Sequence, residues 1–577
     1  MTMESQTLER AKRWLDPAYD EITRKEVQRM IDQDPKQLDD AFYTDLEFGT
    51  GGLRGIMGVG TNRMNIYTVS NATQGLANYI NAQVKSGKKA VAIAHDCRNN
   101  SHVFARKAAE VLAANGIEVY LFPELRPTPV LSFAVRHFNC TSGIVVTASH
   151  NPPEYNGYKV YWNDGAQIVP PHDKGIIEEV RKVSSPSQVR GEIDEQLIHI
   201  IGADLDEIYQ ETVIKEMIHL DAVKAEHDMP IVFTNLHGTA VTHVPGFLRR
   251  MGFTNVHSVA SQEKPDGNFP TVASPNPEER EALTEALQLG KEVKAEIIVA
   301  SDPDADRVGI AVRNPQGELE LLNGNQTAAM LTWYLLEQHT RKGTLPENGF
   351  VCSTIVTTEL INDIAAHYGV DCHVTLTGFK WIADVIRNLE GKGKFIGGGE
   401  ESYGYMIGDN VRDKDAVVTS GMLCEIAAYA LHHGKTFYSM MVDMYIQFGY
   451  YREALVSLVK KGKDGAAEIR GIMDNYRTET PKVLAGSDVL EVRDYHTGEI
   501  RNLKTGEVKP TGIPKSNVIQ FYLADGSKVT ARPSGTEPKI KFYFSLKTEI
   551  ASHADYPAAK ARLEQRISEL KDAFVNG

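Results

Sequence analysis

The chain is poor in cysteine and lacks both an excess of basic residues and a long apolar run. Only 5 of its 577 residues are cysteines, without close C-x-x-C spacing, so we predict mostly buried thiols in a reducing compartment. The formal net charge of −14 argues against a nucleic-acid partner, which would require a basic surface. No run approaches the roughly eighteen apolar residues of a membrane span, and the N-terminal segment lacks the apolar stretch of a signal peptide. We therefore expect a cytoplasmic protein without a membrane partner.

Three common ligand-binding or catalytic motifs are also missing. The hydrolase pattern G-x-S-x-G would require glycine at Thr147 and Asn151. The calcium loop of an EF-hand would require Gly and Glu at the positions of Arg307 and Arg313. The Gly-rich turn at 51–55 does not satisfy G-x-G-x-x-G and follows no clear strand, which argues against a dinucleotide-binding fold.

Length and patterning predict a large multidomain α/β chain. The composition, 42% hydrophobic and 24% charged, is ordinary for globular proteins, and the length corresponds to about four domains of roughly 150 residues each. The first forty or so residues predict a leading helical extension. A strand, a helix, a glycine and a second strand then follow one another over 89–122, and this order predicts a mostly parallel sheet.

The last part of the chain has a different pattern. The stretch 460–465 is rich in Lys and Gly, which predicts a linker or domain edge. Beyond it, strands at 518–523 and 540–546 and a closing helix over 557–574 predict an α+β domain. We therefore expect three related mixed-sheet α/β domains followed by a C-terminal α+β domain.

The most informative segment covers residues 147–159. It follows an apolar run that predicts a buried strand, and its Pro-Pro and Asn-Gly pairs predict a loop. Ser149 is therefore expected near the carboxyl end of a strand, where open α/β sheets bind ligands. Its hydroxyl could take and return a group, with His150 and Lys159 as nearby cations or proton carriers. The alternative is an ordinary turn in which the serine only caps the backbone.

A second segment, 301–307, places three carboxylates after another predicted strand. Asp302, Asp304 and Asp306 alternate along the chain and can converge on one hard cation through oxygen ligands. Three carboxylates do not complete a Mg²⁺ shell, which normally keeps waters or recruits phosphate oxygens. Arg307, directly after them, suits a phosphate better than it suits the alternative of solvated surface acids.

Two further segments offer groups that bind phosphates and sugars. The stretch 532–539 supplies an Arg fork, hydroxyls and backbone donors that suit a phosphate dianion, although Pro-Ser-Gly is also ordinary turn chemistry. The stretch 397–404 pairs carboxylates with a hydroxyl, which suits the vicinal hydroxyls of a sugar. Its alternative is a Gly-rich surface loop.

Five motifs, taken in order, resemble those of the α-D-phosphohexomutase superfamily. They are Gly-Leu-Arg-Gly at 52–55, Thr-Ala-Ser-His-Asn-Pro-Pro at 147–153, Asp-Pro-Asp-Ala-Asp-Arg at 302–307, Gly-Glu-Glu-Ser-Tyr-Gly at 399–404 and Arg-Pro-Ser-Gly-Thr-Glu-Pro at 532–538. Together they span nearly the whole chain. The opening at 48–55, with 62–65, resembles the longer branch of phosphoglucomutases, phosphopentomutases and glucose-1,6-bisphosphate synthases.

The resemblance implies four domains around a central cleft, and roles for individual residues. We predict bounds of 1–208, 209–318, 319–452 and 453–577 for the domains that carry, in turn, the phosphoserine, metal, sugar and phosphate loops. The resemblance implies that Ser149 carries a phosphoryl group, beside His150 and Lys159 as catalytic candidates, with the general base left open. It implies Mg²⁺ ligands at Asp302, Asp304, Asp306 and the Ser149 phosphate. Substrate contacts are implied at Arg54, Arg307, Lys380, Glu400, Ser402, Arg532, Ser534, Gly535 and Thr536.

The activity implied by the resemblance is interconversion of hexose 1-phosphate and hexose 6-phosphate. Glucose is the first expected sugar and mannose the second. A phosphoserine and a sugar 1,6-bisphosphate are the intermediates, and glucose 1,6-bisphosphate is the activator. Two alternatives stay open: a phosphopentomutase or bisphosphate synthase of the same branch, and a non-enzymatic sugar-phosphate binding protein, which would not need both Ser149 and the three aspartates.

Overall fold

The computed structural model describes residues 3–49, 51–460, 462–534 and 539–575. The chain divides into two compact units. The first unit comprises Met1–Gly324 and Phe379–Gly434, and the second comprises Asn325–Gly378 and Lys435–Gly577.

Three helices form the predicted N-terminal extension. They are α1 (Met3–Arg13), α2 (Glu21–Gln33) and α3 (Pro35–Phe42). The side chain of Asp20 caps α2, and Asp34 caps α3 directly before Pro35, the arrangement that favours a helix start. Trp14 anchors their small core and stacks on Tyr19 with 4.6 Å between ring centroids. The helical extension is thus confirmed.

A six-stranded mixed sheet follows. Its elements are β1 (Gly52–Ile56), α4 (Ile66–Gln83), β2 (Ala90–His95), α5 (Ser101–Ala114), β3 (Glu118–Leu121), α6 (Thr128–His137), β4 (Ser142–Val146), β5 (Tyr155–Trp162), α7 (His172–Lys182) and β6 (Ile198–Ile200). The strand order is β1-β5-β4-β2-β3-β6. β4, β2, β3 and β6 run parallel to one another, whereas β5 pairs antiparallel with both β4 and β1. The parallel part confirms the β-α-β prediction.

Two local predictions in this sheet are wrong. Residues 52–55 form strand β1 rather than a turn, and Lys159 lies on strand β5 rather than in a loop. The Asn-Gly pair that suggested a turn lies inside β5. A Cβ at Gly157 would lie 2.4 Å from the carbonyl oxygen of Thr147, so glycine permits a close backbone approach within the sheet.

The second sheet has the same mixed character. Its elements are α8 (Ala203–Val213), α9 (Leu220–Ala225), β7 (Ile231–Thr234), α10 (Val244–Met251), β8 (Val256–Ser258), α11 (Ala260–Glu263), α12 (Thr284–Glu292), β9 (Ile297–Ser301), β10 (Val308–Arg313) and β11 (Leu319–Leu322). The order is β11-β10-β9-β7-β8, with β9, β7 and β8 parallel. The three aspartates connect β9 to its antiparallel neighbour β10.

The first unit ends with α15 (Phe379–Asn388), β14 (Lys394–Gly399), β15 (Tyr405–Ile407) and α16 (Ala416–His432). β14 pairs antiparallel with β15. Gly397–Gly399 are buried strand residues, so the alternative of a Gly-rich surface loop is wrong for them. A strand precedes the Ser149, Asp302 and Glu400 motifs, as predicted.

The second unit contains a parallel strand pair and a large antiparallel sheet. Its elements are α13 (Gly324–Lys342), β12 (Gly349–Thr354), α14 (Leu360–His367), β13 (Asp371–Thr375), α17 (Phe437–Phe448), β16 (Tyr450–Val459), α18 (Gly462–Thr478), β17 (Val483–Leu484), β18 (Ser487–Asp494), β19 (Glu499–Asn502), β20 (Val508–Pro510), β21 (Ile519–Leu523), β22 (Lys528–Pro533), β23 (Lys539–Thr548) and α19 (Tyr556–Val575). The large sheet has the order β16-β23-β22-β21-β18-β19-β20.

The C-terminal part confirms the α+β prediction and corrects one detail. Both predicted strands and the closing helix are present as β21, β23 and α19. The linker prediction for 460–465 is wrong from Gly462 onward, because helix α18 begins there. The amphipathic pattern farther along α18, with Ile469 and Met473 buried one turn apart, outweighs the local Gly and Lys content.

Within the described ranges, no helix combines the length and the apolar character needed to cross a membrane. All five cysteines are free thiols, and Cys140, Cys352 and Cys424 are buried, in line with the prediction of mostly buried thiols.

Candidate active site

Ser149 lies in the loop 147–154 that connects β4 to β5, which we call the serine loop. The residue is buried at 4% exposure and has a left-handed backbone (φ +52°), an uncommon conformation for a residue with a Cβ. Its Oγ donates a hydrogen bond to Asp302 Oδ2 at 2.7 Å and lies 3.1 Å from His150 Nδ1. The hydroxyl is therefore aimed at a carboxylate 153 residues away in the chain.

Asp302, Asp304 and Asp306 form what we call the carboxylate cluster. All three are buried, and one oxygen from each lies within 4.8 Å of the others. The alternative of solvated surface acids is therefore wrong. Asp302 Oδ1 accepts hydrogen bonds from the backbone N–H groups of Asp306 and Arg307, which fold the segment around it. Burial and the two neighbouring carboxylates raise the pKa of Asp302 well above its ordinary value, so the cluster resists carrying three negative charges unaided.

Two lysines neutralise part of this charge. Lys159 Nζ lies 2.7 Å from Asp304 Oδ2 and 3.4 Å from Asp306 Oδ2. Lys414 Nζ lies 3.1 Å from Asp306 Oδ2 and 3.0 Å from Asp413 Oδ1. Burial by itself would raise the pKa of Asp304, but Lys159, a hydrogen bond with Asp302 and the charge of Lys414 together outweigh burial and hold that pKa below its ordinary range. Sequence reasoning missed Lys414. The sequence pattern that could have indicated Lys414 is a run of four charged residues, 412–415, directly before the apolar helix α16.

Within the described residues, two oxygen atoms of the cluster accept no hydrogen bond, although Arg307 Nε lies 3.8 Å from one of them, Asp306 Oδ1. Asp304 Oδ1 and Asp306 Oδ1 are buried and accept no hydrogen bond from the described residues. A buried carboxylate oxygen without a partner is unfavourable, and a hard divalent cation is the partner that such oxygens prefer. The donor set therefore fits a divalent metal ion held by oxygen ligands.

Two arginines and a histidine lie near the cluster. The guanidinium of Arg307 pairs with Glu278, a second residue that sequence reasoning missed. Arg54, on β1, donates to Asn151 Oδ1 in the serine loop at 3.2 Å. Burial and the charge of Arg307 lower the pKa of His150 well below its ordinary value, so its ring is neutral near pH 7.

The predicted sugar-binding residues follow β14. Glu400 is buried and its N–H donates to Gly404 O at 2.9 Å, whereas Ser402 is half-buried. Tyr403 O accepts from the backbone N–H of Val308 at 2.9 Å, which ties this loop to the residue after Arg307. Lys380, at the start of α15, lies with its Nζ 5.3 Å from the ring centroid of Trp381.

The predicted phosphate-binding residues belong to the second unit. Arg532 lies on β22, with Nη1 3.4 Å from Tyr543 Oη, and Ser534 follows the strand. The backbone N–H of Ser534 donates to Lys539 O at 2.7 Å. Gly535 and Thr536 lie outside the described residues, so their assignment stays a prediction.

Three domain families match the chain in succession. The matches are to phosphoglucomutase/phosphomannomutase α/β/α domains I, II and III, at residues 45–187, 207–317 and 323–448. They confirm the expected series of three α/β domains before the C-terminal domain. Our exact bounds of 1–208, 209–318, 319–452 and 453–577 stay predictions.

Curated relatives and solved structures agree with these matches. A phosphoglucomutase of Staphylococcus epidermidis is 37% identical over 551 residues, which cover 95% of this chain and 98% of that protein. A phosphoglucomutase of Staphylococcus haemolyticus is 37% identical over 509 residues, or 88% and 91% of the two chains. The crystal structure of parafusin (phosphoglucomutase) from Paramecium shares the fold, with a TM-score of 0.67 at 18% identity over 92% of this chain and 96% of that one.

Fold and matches together define a multidomain α/β enzyme of the phosphotransferase and mutase class, which sets aside the non-enzymatic alternative. The chain belongs to the phosphoglucomutase/phosphomannomutase family of the α-D-phosphohexomutase superfamily.

Proposed function

We propose that the chain is a phosphohexomutase that interconverts glucose 1-phosphate and glucose 6-phosphate, with mannose phosphates as a second substrate pair. The observation that carries the proposal is the 2.7 Å hydrogen bond from Ser149 Oγ to Asp302 at the edge of a buried carboxylate cluster. A hydroxyl in that position can carry a phosphoryl group whose oxygens face a cation site. The names of the staphylococcal relatives support the choice of glucose.

In the proposed reaction, phospho-Ser149 donates its phosphoryl group to the 6-hydroxyl of a bound sugar 1-phosphate. The bond from phosphorus to Ser149 Oγ breaks, a bond to the sugar oxygen forms, and the hydroxyl proton passes to a protein base. The resulting 1,6-bisphosphate turns round without leaving the enzyme and returns its 1-phosphoryl group to Ser149. Glucose 1,6-bisphosphate would therefore act as activator, because it can phosphorylate Ser149 directly.

Phosphoryl transfer depends on positioning and charge neutralisation more than on covalent chemistry. We propose that Asp302, Asp304 and Asp306, with a phosphate oxygen on Ser149, would hold Mg²⁺. When bound, the ion would offset charge on the transferring phosphoryl group. Lys159 contacts two of these carboxylates, Asp304 and Asp306. We propose it as a proton carrier beside the carboxylate cluster.

We assign proton transfer to a small set of neighbouring groups. His150 lies 3.1 Å from Ser149 Oγ, and Lys159 and Lys414 contact the carboxylate cluster. Arg307 and Arg54 supply further positive charge for phosphate oxygens, and so, we propose, does Lys380. Glu400 and Ser402 would accept and donate hydrogen bonds to sugar hydroxyls, a role that both orientations of the bisphosphate could use.

A panel of substrates tests the proposed function. Glucose 1-phosphate should show the highest kcat/KM among glucose, mannose, N-acetylglucosamine and ribose 1-phosphates, each assayed with a trace of the matching bisphosphate. A preference for ribose 1-phosphate would instead identify a phosphopentomutase. Net accumulation of glucose 1,6-bisphosphate from glucose 1-phosphate and a separate phosphoryl donor would identify a bisphosphate synthase.

Arg532→Ala should weaken catalysis without removing the chemistry. We propose that Arg532, with Ser534, Gly535 and Thr536, binds the phosphate that is not being transferred. A bidentate, charge-assisted contact contributes roughly 1.5–3 kcal/mol, so kcat/KM should fall about ten- to a hundredfold. More bisphosphate should escape into solution, and the need for added activator should rise.

The matched control for Arg532→Ala is Arg562→Ala, an exposed arginine on α19 of the same unit. It should keep wild-type kcat/KM and activator dependence. Ser149 phosphorylation by glucose 1,6-bisphosphate, followed by intact mass, should remain detectable in both variants. Unchanged kcat/KM in Arg532→Ala would mean that the turn is structural only.

A further inference from the structure

A buried ion pair, Asp96 and Arg98, lies directly beneath the serine loop. Arg98 is 2% exposed and Asp96 is 1% exposed, with Arg98 Nε 3.3 Å from Asp96 Oδ2. Both residues follow strand β2. The Asp96 carboxylate also accepts the backbone N–H of Arg98 at 2.9 Å, which holds the arginine in place from its own main chain.

The two terminal nitrogens of the Arg98 guanidinium donate hydrogen bonds to carbonyl groups in one short stretch of backbone, 149–155. Nη1 donates to Pro152 O at 2.8 Å and to Tyr155 O at 3.1 Å. Nη2 donates to Ser149 O at 2.6 Å and also to Asn151 O. Three of these four carbonyls belong to the serine loop, and the fourth opens β5. A planar guanidinium can bridge four acceptors in this way, whereas an ammonium group cannot match its fork geometry.

The same ion pair also positions the backbone N–H group of Ser149, through Thr147. The backbone N–H of Ser149 donates to Thr147 Oγ1 at 2.9 Å, and Thr147 Oγ1 in turn donates to Asp96 Oδ2 at 2.6 Å. Asp96 therefore orients the acceptor for the N–H of Ser149, while Arg98 binds its carbonyl. Both peptide groups that define the left-handed backbone of Ser149 are fixed by one buried pair.

We infer that Arg98 is a positioning residue that holds the serine loop so that Ser149 Oγ faces the carboxylate cluster. The inference rests on the proposed function, in which Ser149 carries the phosphoryl group. A left-handed serine is a sparsely populated conformation that persists only when its surroundings impose it. The Phe269 ring covers Arg98, with 4.9 Å between the ring centroid and the guanidinium carbon. This cover shields the hydrogen bonds of the arginine from water.

Arg98→Lys tests the inference, because it keeps the charge and removes the fork. We expect kcat to fall by about 10²-fold, the size of effect associated with a displacement of roughly 1 Å, with little change in KM for glucose 1-phosphate. Phosphorylation of Ser149 by glucose 1,6-bisphosphate should slow in parallel. In Arg98→Ala, added methylguanidine should restore part of kcat, whereas an equal concentration of sodium chloride should not.

Arg126→Lys is the matched control. Arg126 is also a buried arginine of the first unit, but its guanidinium pairs with Asp206 and donates to Leu125 O instead of the serine loop. It should lower the melting temperature while keeping kcat within about twofold. A loss of kcat in Arg126→Lys equal to that in Arg98→Lys would overturn the inference, since general destabilisation would then explain both.

Amide hydrogen exchange supplies a readout that does not depend on the substrate. Peptides covering 147–157 should exchange faster in Arg98→Lys than in the wild type, with peptides of the second sheet unchanged. A wild type that fails to interconvert hexose phosphates would refute the proposed function, yet this comparison would still decide whether Arg98 orders the loop. Unchanged exchange at 147–157 together with unchanged kcat would refute the positioning role.

Discussion

Ser149→Ala should fold as the wild type does and lose mutase turnover by about 10⁴-fold or more, the range seen when a covalent nucleophile is removed. The substitution deletes the hydroxyl that donates to Asp302 at 2.7 Å but leaves both backbone bonds of the residue in place. Alanine can neither accept the phosphoryl group nor return it. The residual rate would then reflect only binding and charge stabilisation by the remaining site.

Intact-mass measurement after incubation with glucose 1,6-bisphosphate checks the nucleophile directly. The wild type should gain one phosphoryl group, and Ser149→Ala should gain none. Ser142→Ala is the matched control, because Ser142 is a buried serine on the strand that leads to the loop and donates to Tyr161 O at 2.6 Å. It should lose some stability but keep turnover and phosphorylation. Near-normal turnover by Ser149→Ala would refute the assignment.

Strand-to-loop junctions were the part of the site that the sequence could predict. An apolar run followed by a polar segment identifies the carboxyl end of a buried strand, and the Ser149, Asp302 and Glu400 motifs all lie at such ends. Single residues then distinguished the predicted cation site from an EF-hand, because Arg307 and Arg313 stand where the calcium loop requires Gly and Glu. What local pattern could not supply was the distance of 2.7 Å between side chains from two different sheets.

The residues that sequence reasoning missed share a physical feature. Lys414, Glu278 and Arg98 are charged and at least half-buried, and each is stabilised by a partner distant in the chain. Local pattern places charged residues on the surface, so a buried charge is visible only when its partner is known. The failed turn prediction at Gly157 has a related cause, since a close backbone contact between strands rather than a turn demands glycine there.

Asp304→Asn should lower metal affinity and turnover together. Asp304 carries a buried oxygen that accepts no hydrogen bond from the described residues, while its other oxygen binds Lys159 at 2.7 Å. Asparagine keeps the shape and removes the charge that offsets a divalent cation. Mutation of a residue that only hydrogen-bonds to a metal ligand typically reduces metal affinity or activity about 10–100-fold. Because Asp304 is proposed as a ligand itself, its loss should reduce turnover at low Mg²⁺ by at least that factor.

A Mg²⁺ titration of activity separates occupancy from chemistry. Excess Mg²⁺ should restore part of the turnover of Asp304→Asn if weakened binding is the main fault, and chelation with EDTA should abolish wild-type activity. Asp206→Asn is the matched control: Asp206 is a partly buried carboxylate that pairs with Arg126 and His243 rather than with Lys159 or Lys414. It should lower stability without changing the Mg²⁺ dependence. Full wild-type activity after exhaustive chelation would show that the two lysines, rather than a metal ion, neutralise the carboxylate cluster during turnover.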